Sequence, residues 1–180
     1  MNVPKLRFKD EDGRAFPEWE KKIIEDVLTI GSGRDYKHLS KGIIPVYGTG
    51  GYMLSVNDYL YDGESVCIGR KGTIDRPMLM SGKFWTVDTI FYTYKFNLSL
   101  PRFIYASFQR INWKNFNEAS GVPSLSKSTI EKIEINLPTI QEQTKIATFL
   151  TAIDDKLTHT KAQLNAVKQY KQALLQQMFV

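Results

Sequence analysis

At 180 residues the chain has the length of one domain, or of one domain with an appendage. It is 42% hydrophobic and 12% aromatic, enough to bury a core, and its net charge of +5 favours a polyanionic partner only weakly. A single cysteine, Cys67, excludes an internal disulfide framework and a cysteine-built zinc site. The opening Met1 to Asp10 has no apolar signal core, and no apolar run approaches the ~20 residues of a membrane span, so the expectation is a cytoplasmic protein with no membrane partner.

Residues 1–138 alternate short aromatic and β-branched runs with Gly, Pro and Asn/Asp turns, and read as one mixed α/β unit. In chain order, Trp19–Leu28 is expected to be helical. The stretch Pro45-Val46-Tyr47-Gly48-Thr49-Gly50-Gly51-Tyr52 reads as a glycine loop. Asn57-Asp58 and Tyr61-Asp62-Gly63 read as turns. Strands are expected at Ser65–Ile68, Phe84–Val87 and Thr89–Tyr94. A helix follows at Pro101–Gln109, with proline in its first turn, and a shorter one at Lys127–Ile133, capped by Ser126 or Ser128. Cys67, in the apolar run Ser-Val-Cys-Ile, reads as a small buried hydrophobe.

After Pro138 the pattern changes. Residues 139–179 contain neither glycine nor proline, and Thr139 with Glu142 has the spacing of a capping box. Leu150, Leu157, Leu164, Lys171 and Met178 repeat every seven residues; Ile146, Ile153, Thr160, Val167 and Leu174 form the second line of the seam. Eight of these ten positions are apolar, over four heptads, which predicts a long helix that pairs with another in a coiled coil. Thr160 and Lys171 would help set register. The fold class expected is therefore α+β: a mixed domain, 1–138, followed by a coiled-coil helix, 139–180.

The motifs argue against small-molecule chemistry. A P-loop needs Lys-Ser/Thr after its last glycine, whereas Gly50-Gly51 leads into Tyr52-Met53. Gly69-Arg70-Lys71-Gly72-Thr73 is too short for that loop, although its cations and amides suit one or two phosphates. His38 and His159 have no metal-ligand spacing, and no Gly-x-Ser-x-Gly elbow occurs. Glu20-Lys21-Lys22 and Asp154-Asp155 read as solvated charge. No catalytic residue, metal ligand or cofactor site is expected. What remains is a set of aromatic, cationic and small polar residues spread over three stretches: Tyr47, Thr49 and Tyr52; Arg70, Lys71 and Thr73; Lys83, Trp85, Thr86 and Asp88. Such loops fit nucleic-acid binding, through phosphate or guanine contacts, and they also fit a coiled-coil adaptor that binds protein.

Several stretches resemble the specificity (S) subunits of type I restriction-modification systems. Pro4–Phe8, Phe16–Glu20 and Ile24–Val27 are similar to the lead-in of their target recognition domains. Tyr47–Tyr52 and Tyr61–Thr73 resemble the central body, and Asn117–Ser126 the stretch before the exit. Leu137–Ile146 looks like the start of the spacer helix. A full S subunit carries two such domains and two antiparallel spacer helices, each domain reading half of a bipartite double-stranded DNA target; this chain has the ingredients of one half. The resemblance implies a non-catalytic subunit that recruits methyltransferase (M) and restriction (R) subunits, with S-adenosylmethionine bound by the methyltransferase. It implies pairing with a second copy or another half-subunit through Ile146, Leu150, Ile153, Leu157, Leu164, Val167, Leu174 and Met178. For DNA contact it points to Tyr47, Thr49, Tyr52, Arg70, Lys71 and Thr73, with Ser120, Ser124 and Lys127 along a second edge.

Overall fold

The computed structural model describes residues 4–179. The chain divides into two compact units, the first ending at Thr144 and the second beginning at Lys145.

The first unit is built on three small sheets. Strand β1 (Glu20–Ile23) leads into a single helical turn, α1 (Ile24–Val27), and then β2 (Thr29–Ser32). The expected helix over Trp19–Leu28 is therefore split, with strand over Glu20–Ile23 and helix only over Ile24–Val27. The cause lies far along the chain: β10 (Glu134–Leu137) pairs antiparallel with β1, and Lys21 reaches Glu134 at 3.2 Å. Local helix propensity yields to this pairing, and only the turn with Ile24 and Val27 buried stays helical.

Strands β3 (Lys41–Gly48) and β4 (Gly51–Val56) form a hairpin, with Gly48 opposite Gly51 and Thr49-Gly50 at the turn. The loop expected at Pro45–Tyr52 is thus largely strand. Gly51 sits at φ +109°, a conformation that side chains with a Cβ resist. Two-residue β5 (Tyr61–Asp62), expected as part of a turn, pairs with β8 (Lys83–Thr86). The sheet order is β4-β3-β8-β5, with β3 and β8 parallel. Val46, Val56 and Trp85 form its core, covered by Tyr36 and Leu39.

The third sheet has the order β2-β9-β6-β7, with β6 at Ser65–Gly69, β7 at Met78–Met80 and β9 at Ile90–Tyr94. All five residues of β6 are buried. Its polar member, Ser65, is satisfied across the pair: its hydroxyl donates to Thr93 O at 2.7 Å and accepts from Thr93 N at 3.0 Å, while Thr93 Oγ1 accepts from Val66 N at 2.8 Å. Cys67 lies in this core, where desolvation pushes its thiol up to about 12. It is an inert, buried hydrophobe.

Helix α2 (Pro101–Arg110) has proline at its start and buries Phe103, Ile104 and Phe108. A 3-10 turn, Trp113–Phe116, sets Trp113 against Phe108 at 5.0 Å. Helix α3 (Lys127–Glu131) is capped by Ser126, whose hydroxyl accepts from Thr129 N.

Helix α4 (Ile140–Met178) has 39 residues. Its first turn belongs to the first unit, and it departs from the expected capping box. Thr139 Oγ1 accepts from Glu142 N at 3.4 Å, but the Glu142 carboxylate is taken by Arg7, at 2.6 and 3.1 Å, and by Trp19 Nε1 at 3.1 Å. Arg7 also donates to Pro17 O at 2.6 Å, so the lead-in is tied to the helix start. Gln143 is equally buried: its Nε2 donates to Leu98 O and Pro138 O, and its Oε1 accepts from Leu100 N.

In the second unit every described residue from 152 to 179 is exposed. The seam is bare along it, with Leu157 51% and Leu164 52% exposed. Phe149, Tyr170 and Leu175, which flank the seam, are also exposed and widen the apolar stripe. Thr160 donates its hydroxyl to Lys156 O at 2.8 Å, so its own helix satisfies the polar intrusion. Among the described residues no helix is long and apolar enough to cross a membrane.

Candidate nucleic-acid interface

Three separate stretches meet at the turn end of the β3–β4 hairpin. Parallel pairing of β3 with β8 carries Val87 alongside, where its N–H donates to Tyr47 O at 3.1 Å. The segment after β6 then folds in: Arg70 N and Lys71 N both donate to Thr89 O, at 2.7 and 3.3 Å. On its other side Gly72 N donates to Pro123 O at 2.9 Å, Leu125 N donates to Arg70 O at 2.9 Å, and Lys71 bridges Ser124. Gly72, at φ +87°, faces Thr49, whose hydroxyl lies 3.6 Å from where a Cβ on the glycine would stand. The Gly-Thr-Gly-Gly turn, the Arg-Lys loop and the 117–126 segment are thus one continuous surface.

Asn117 and Glu118 brace the last of these stretches. Asn117 Oδ1 accepts from Ala119 N and Ser124 N. Glu118 accepts from Ser126 and from the Thr129 hydroxyl, and the Thr129 and Ser126 bonds hold its carboxyl below the ordinary value. A lowered pKa means that the brace is intact at neutral pH and is lost only as pH falls through that lowered value. Sequence reasoning named the neighbouring serines but not these two side chains; an Asn-Glu pair ahead of Ser-Gly-Val-Pro-Ser carries a turn-bracing signal that could have found them.

The predicted contact residues are differently placed. Arg70 and Lys71 are exposed, and among the described residues neither has a carboxylate partner. The Arg70 guanidinium lies over the Phe91 ring at 5.8 Å, which steadies it without neutralising it. Tyr52 is 63% exposed, its hydroxyl 3.1 Å from Ser55 Oγ. Tyr47 is half-buried; it packs on the Cys67–Phe84–Ile90 core and meets Tyr52 edge to face. Thr49, Thr73 and Ser124 are half-buried, and Ser120 is exposed. Lys127 is exposed but shared with Glu131 at 3.5 Å. Trp85 and Thr86 are buried, so only Lys83 and Asp88 of their stretch stand at the surface. Arg70 and Lys71 are therefore adjacent exposed cations, while Lys83 lies over the Tyr59 ring at 4.8 Å.

Gly69 is what lets the Arg-Lys loop turn so tightly. An added Cβ would stand 2.1 Å from Thr73 O, a backbone atom that cannot swing aside. Gly69→Ala is therefore expected to displace residues 70–73 and to abolish whatever these cations bind, while far-ultraviolet circular dichroism still shows a folded chain. Unchanged ligand affinity would contradict this geometry.

The sequence profile of the type I restriction modification DNA specificity domain matches residues 17–169. The chain belongs to that family. This specificity domain is 25% identical over 133 residues to the type I restriction enzyme MjaVIII specificity subunit of Methanocaldococcus jannaschii, a match covering 71% of this chain and 29% of the relative. It is 22% identical over 175 residues to the type I restriction enzyme EcoprrI specificity subunit of Escherichia coli, covering 91% and 41%. Its fold is that of the crystal structure of the type I restriction-modification S subunit from M. genitalium, with TM-score 0.74 and 15% identity, over 89% of this chain and 44% of the other. The specificity domain thus spans less than half the length of these relatives. Among its described residues no group of three or more His, Cys, Asp or Glu is placed to hold a metal ion.

Proposed function

We propose that this chain is a DNA-recognition subunit of a type I restriction-modification complex and reads one half of a bipartite double-stranded target. The observation that carries the reading is the Arg70-Lys71 loop, without a carboxylate partner among the described residues and held by backbone bonds to Thr89 and to the 117–126 segment, in a chain of the DNA specificity family. Preorganised backbone of this kind fixes a reader against phosphates, and exposed side chains on it can reach base edges. Thr49, Tyr52, Thr73 and Ser120 lie on or beside this surface; Tyr47 supports Tyr52 from beneath.

The chain itself performs no chemistry in this reading. Methyltransferase and restriction subunits supply catalysis, and S-adenosylmethionine binds to the methyltransferase. The complex acts on DNA in the cytoplasm. The seam of α4, Ile146 to Met178, pairs with a second copy or with another half-subunit. Two copies related by a two-fold axis present the same surface twice and read an inverted repeat with a fixed gap. A helix of 39 residues is about 58 Å long. That bounds the separation of the two readers at about 17 base steps of ~3.4 Å.

Binding of DNA by the assembled complex tests the reading. Arg70→Ala is expected to cost about 1–3 kcal/mol and relax one position of the target if Arg70 meets a base, or to weaken all sequences alike if it meets a phosphate. The affinity should also fall steeply with salt. Unchanged affinity in Arg70→Ala, Lys71→Ala and Tyr52→Ala alike would remove the site.

A further inference from the structure

A groove of about 820 Å³ is lined by β4 from Tyr52, beside the hairpin turn, to Val56 at its far end, and by the Tyr36–Gly42 segment. Its floor is apolar: Tyr36 and Leu39 pack on Val46, Val56 and Trp85. Its rim is polar and basic, with Lys37, Lys41, Ser55 and Tyr52, and among the described residues that line it there is no carboxylate. Lys37 and Lys41 are exposed, and neither forms an ion pair among the described residues. The walls are held from both sides. Leu39 N donates to Tyr36 O, Asn57 N donates to Ser40 O, and Ser40 N donates to Asn57 Oδ1. At Gly42 the two walls come so close that a Cβ would stand 2.3 Å from Val56 O.

We propose that this groove is a second DNA contact, a phosphate track on which Lys37 and Lys41 hold the backbone of the same duplex that Arg70 and Lys71 meet; the proposal rests on the DNA reading above. Three features favour a duplex. The charge is of one sign, as a polyanion requires. The bonded hydroxyl pair of Tyr52 and Ser55 adds one neutral phosphate donor to the rim, the other proton being used in the bond between them. Tyr52 is common to the groove and to the reading surface, so the two are continuous. Lys41 pairs with Val56 at the far end of β4, five residues from Gly51. At ~3.4 Å per residue, that separates the two cationic ends by about 17 Å, or about five base steps along a duplex. Lys37 and Lys41 hold the backbone at one end of the half-site while Arg70 and Lys71 act at the other. Contacts of this type fix register and orientation without reading sequence.

The test is fluorescence anisotropy of the complex assembled with its methyltransferase, on a duplex carrying the target and on an unrelated duplex, across a salt series. Lys37→Ala with Lys41→Ala should weaken both duplexes by the same factor. It should flatten the slope of log affinity against log salt by about 1.8 for each copy of this chain in the complex, at ~0.9 for each phosphate no longer neutralised. The methylated target should stay the same, and Lys37→Arg with Lys41→Arg should restore the slope. An unchanged slope, with Arg70→Ala and Lys71→Ala still weakening binding, would overturn the track and leave the DNA reading standing. If neither pair of variants weakened DNA, both would fall together. Loss of the methyltransferase from the double-alanine complex, seen by sedimentation, would overturn the track in favour of a protein dock.

Discussion

Replacing Leu157 and Leu164 together by aspartate is expected to leave the chain monomeric at micromolar concentration, with its helix content retained. In a pair of copies four leucines leave the seam at once. They are 51% and 52% exposed in the single chain, so about half of each side chain remains to be buried by a partner. At about 1 kcal/mol for each half-burial, the loss is about 4 kcal/mol before any repulsion between the new carboxylates. That alone is close to three decades in the dissociation constant. Sedimentation velocity should therefore separate wild type from variant cleanly. Thr160 is a useful contrast, since its hydroxyl is already bonded to Lys156 O; Thr160→Val should tighten the pair rather than weaken it. A wild-type chain that stayed monomeric, alone and mixed with other half-subunits, would contradict the pairing.

The other large effect is expected at Glu142. Its carboxylate is fully buried, held by Arg7 and by Trp19, and Glu142→Ala would strand both partners. Removing one member of a buried pair costs about 3–5 kcal/mol. The lower end applies here, because Arg7 keeps 20% of its side chain exposed and can recover water. About 3 kcal/mol in a chain of this length should lower Tm by about 6–12 °C. Glu142→Gln keeps the shape but sets an amide against the guanidinium, and should recover little. Joint replacement, Arg7→Met with Glu142→Leu, should restore part of the stability, because it removes the stranded charge but leaves Trp19 Nε1 without its acceptor. A fall of less than about 2 °C in Glu142→Ala would show that this contact matters little to the fold.

Periodicity made α4 legible as one long helix. Apolar runs marked β6, β8 and β9, and proline or serine starts marked α2 and α3. Where the reading failed, the deciding partner lay far away in sequence. Glu20–Ile23 looks helical until Glu134–Leu137 claims it as a strand. Glu142 has the spacing of a capping residue, and only the fold reveals that Arg7 and Trp19 take it instead. The glycines at 48, 50 and 51 announced a turn, but the strands on either side were hidden by residues such as Pro45 and Ser55, which carry no clear alternation.

The candidate site was legible in kind and less so in detail. Arg70 and Lys71 stood out as cations on a glycine-bracketed loop, and both are exposed with no carboxylate partner among the described residues. Tyr47 was indistinguishable from Tyr52 in sequence, yet one packs on the core and the other faces solvent. Lys37 and Lys41 drew no notice because a lone lysine on a loop is ordinary; their meaning comes from the groove between them. That the 117–126 segment docks against residues 70–72 is a matter of tertiary pairing, which no local pattern encodes.

In the proposed assembly one reader and one seam helix make a half-subunit, and its pairing sets a bipartite target. Co-expression with the cognate methyltransferase, followed by mapping of methylated adenines across genomic DNA, reads that target out. Two identical half-sites in inverted orientation, separated by a fixed gap and lost in the Leu157→Asp, Leu164→Asp variant, is the result predicted for self-pairing; with another half-subunit the two half-sites would differ. A single contiguous motif, or methylation that persists unchanged in that variant, would contradict the account.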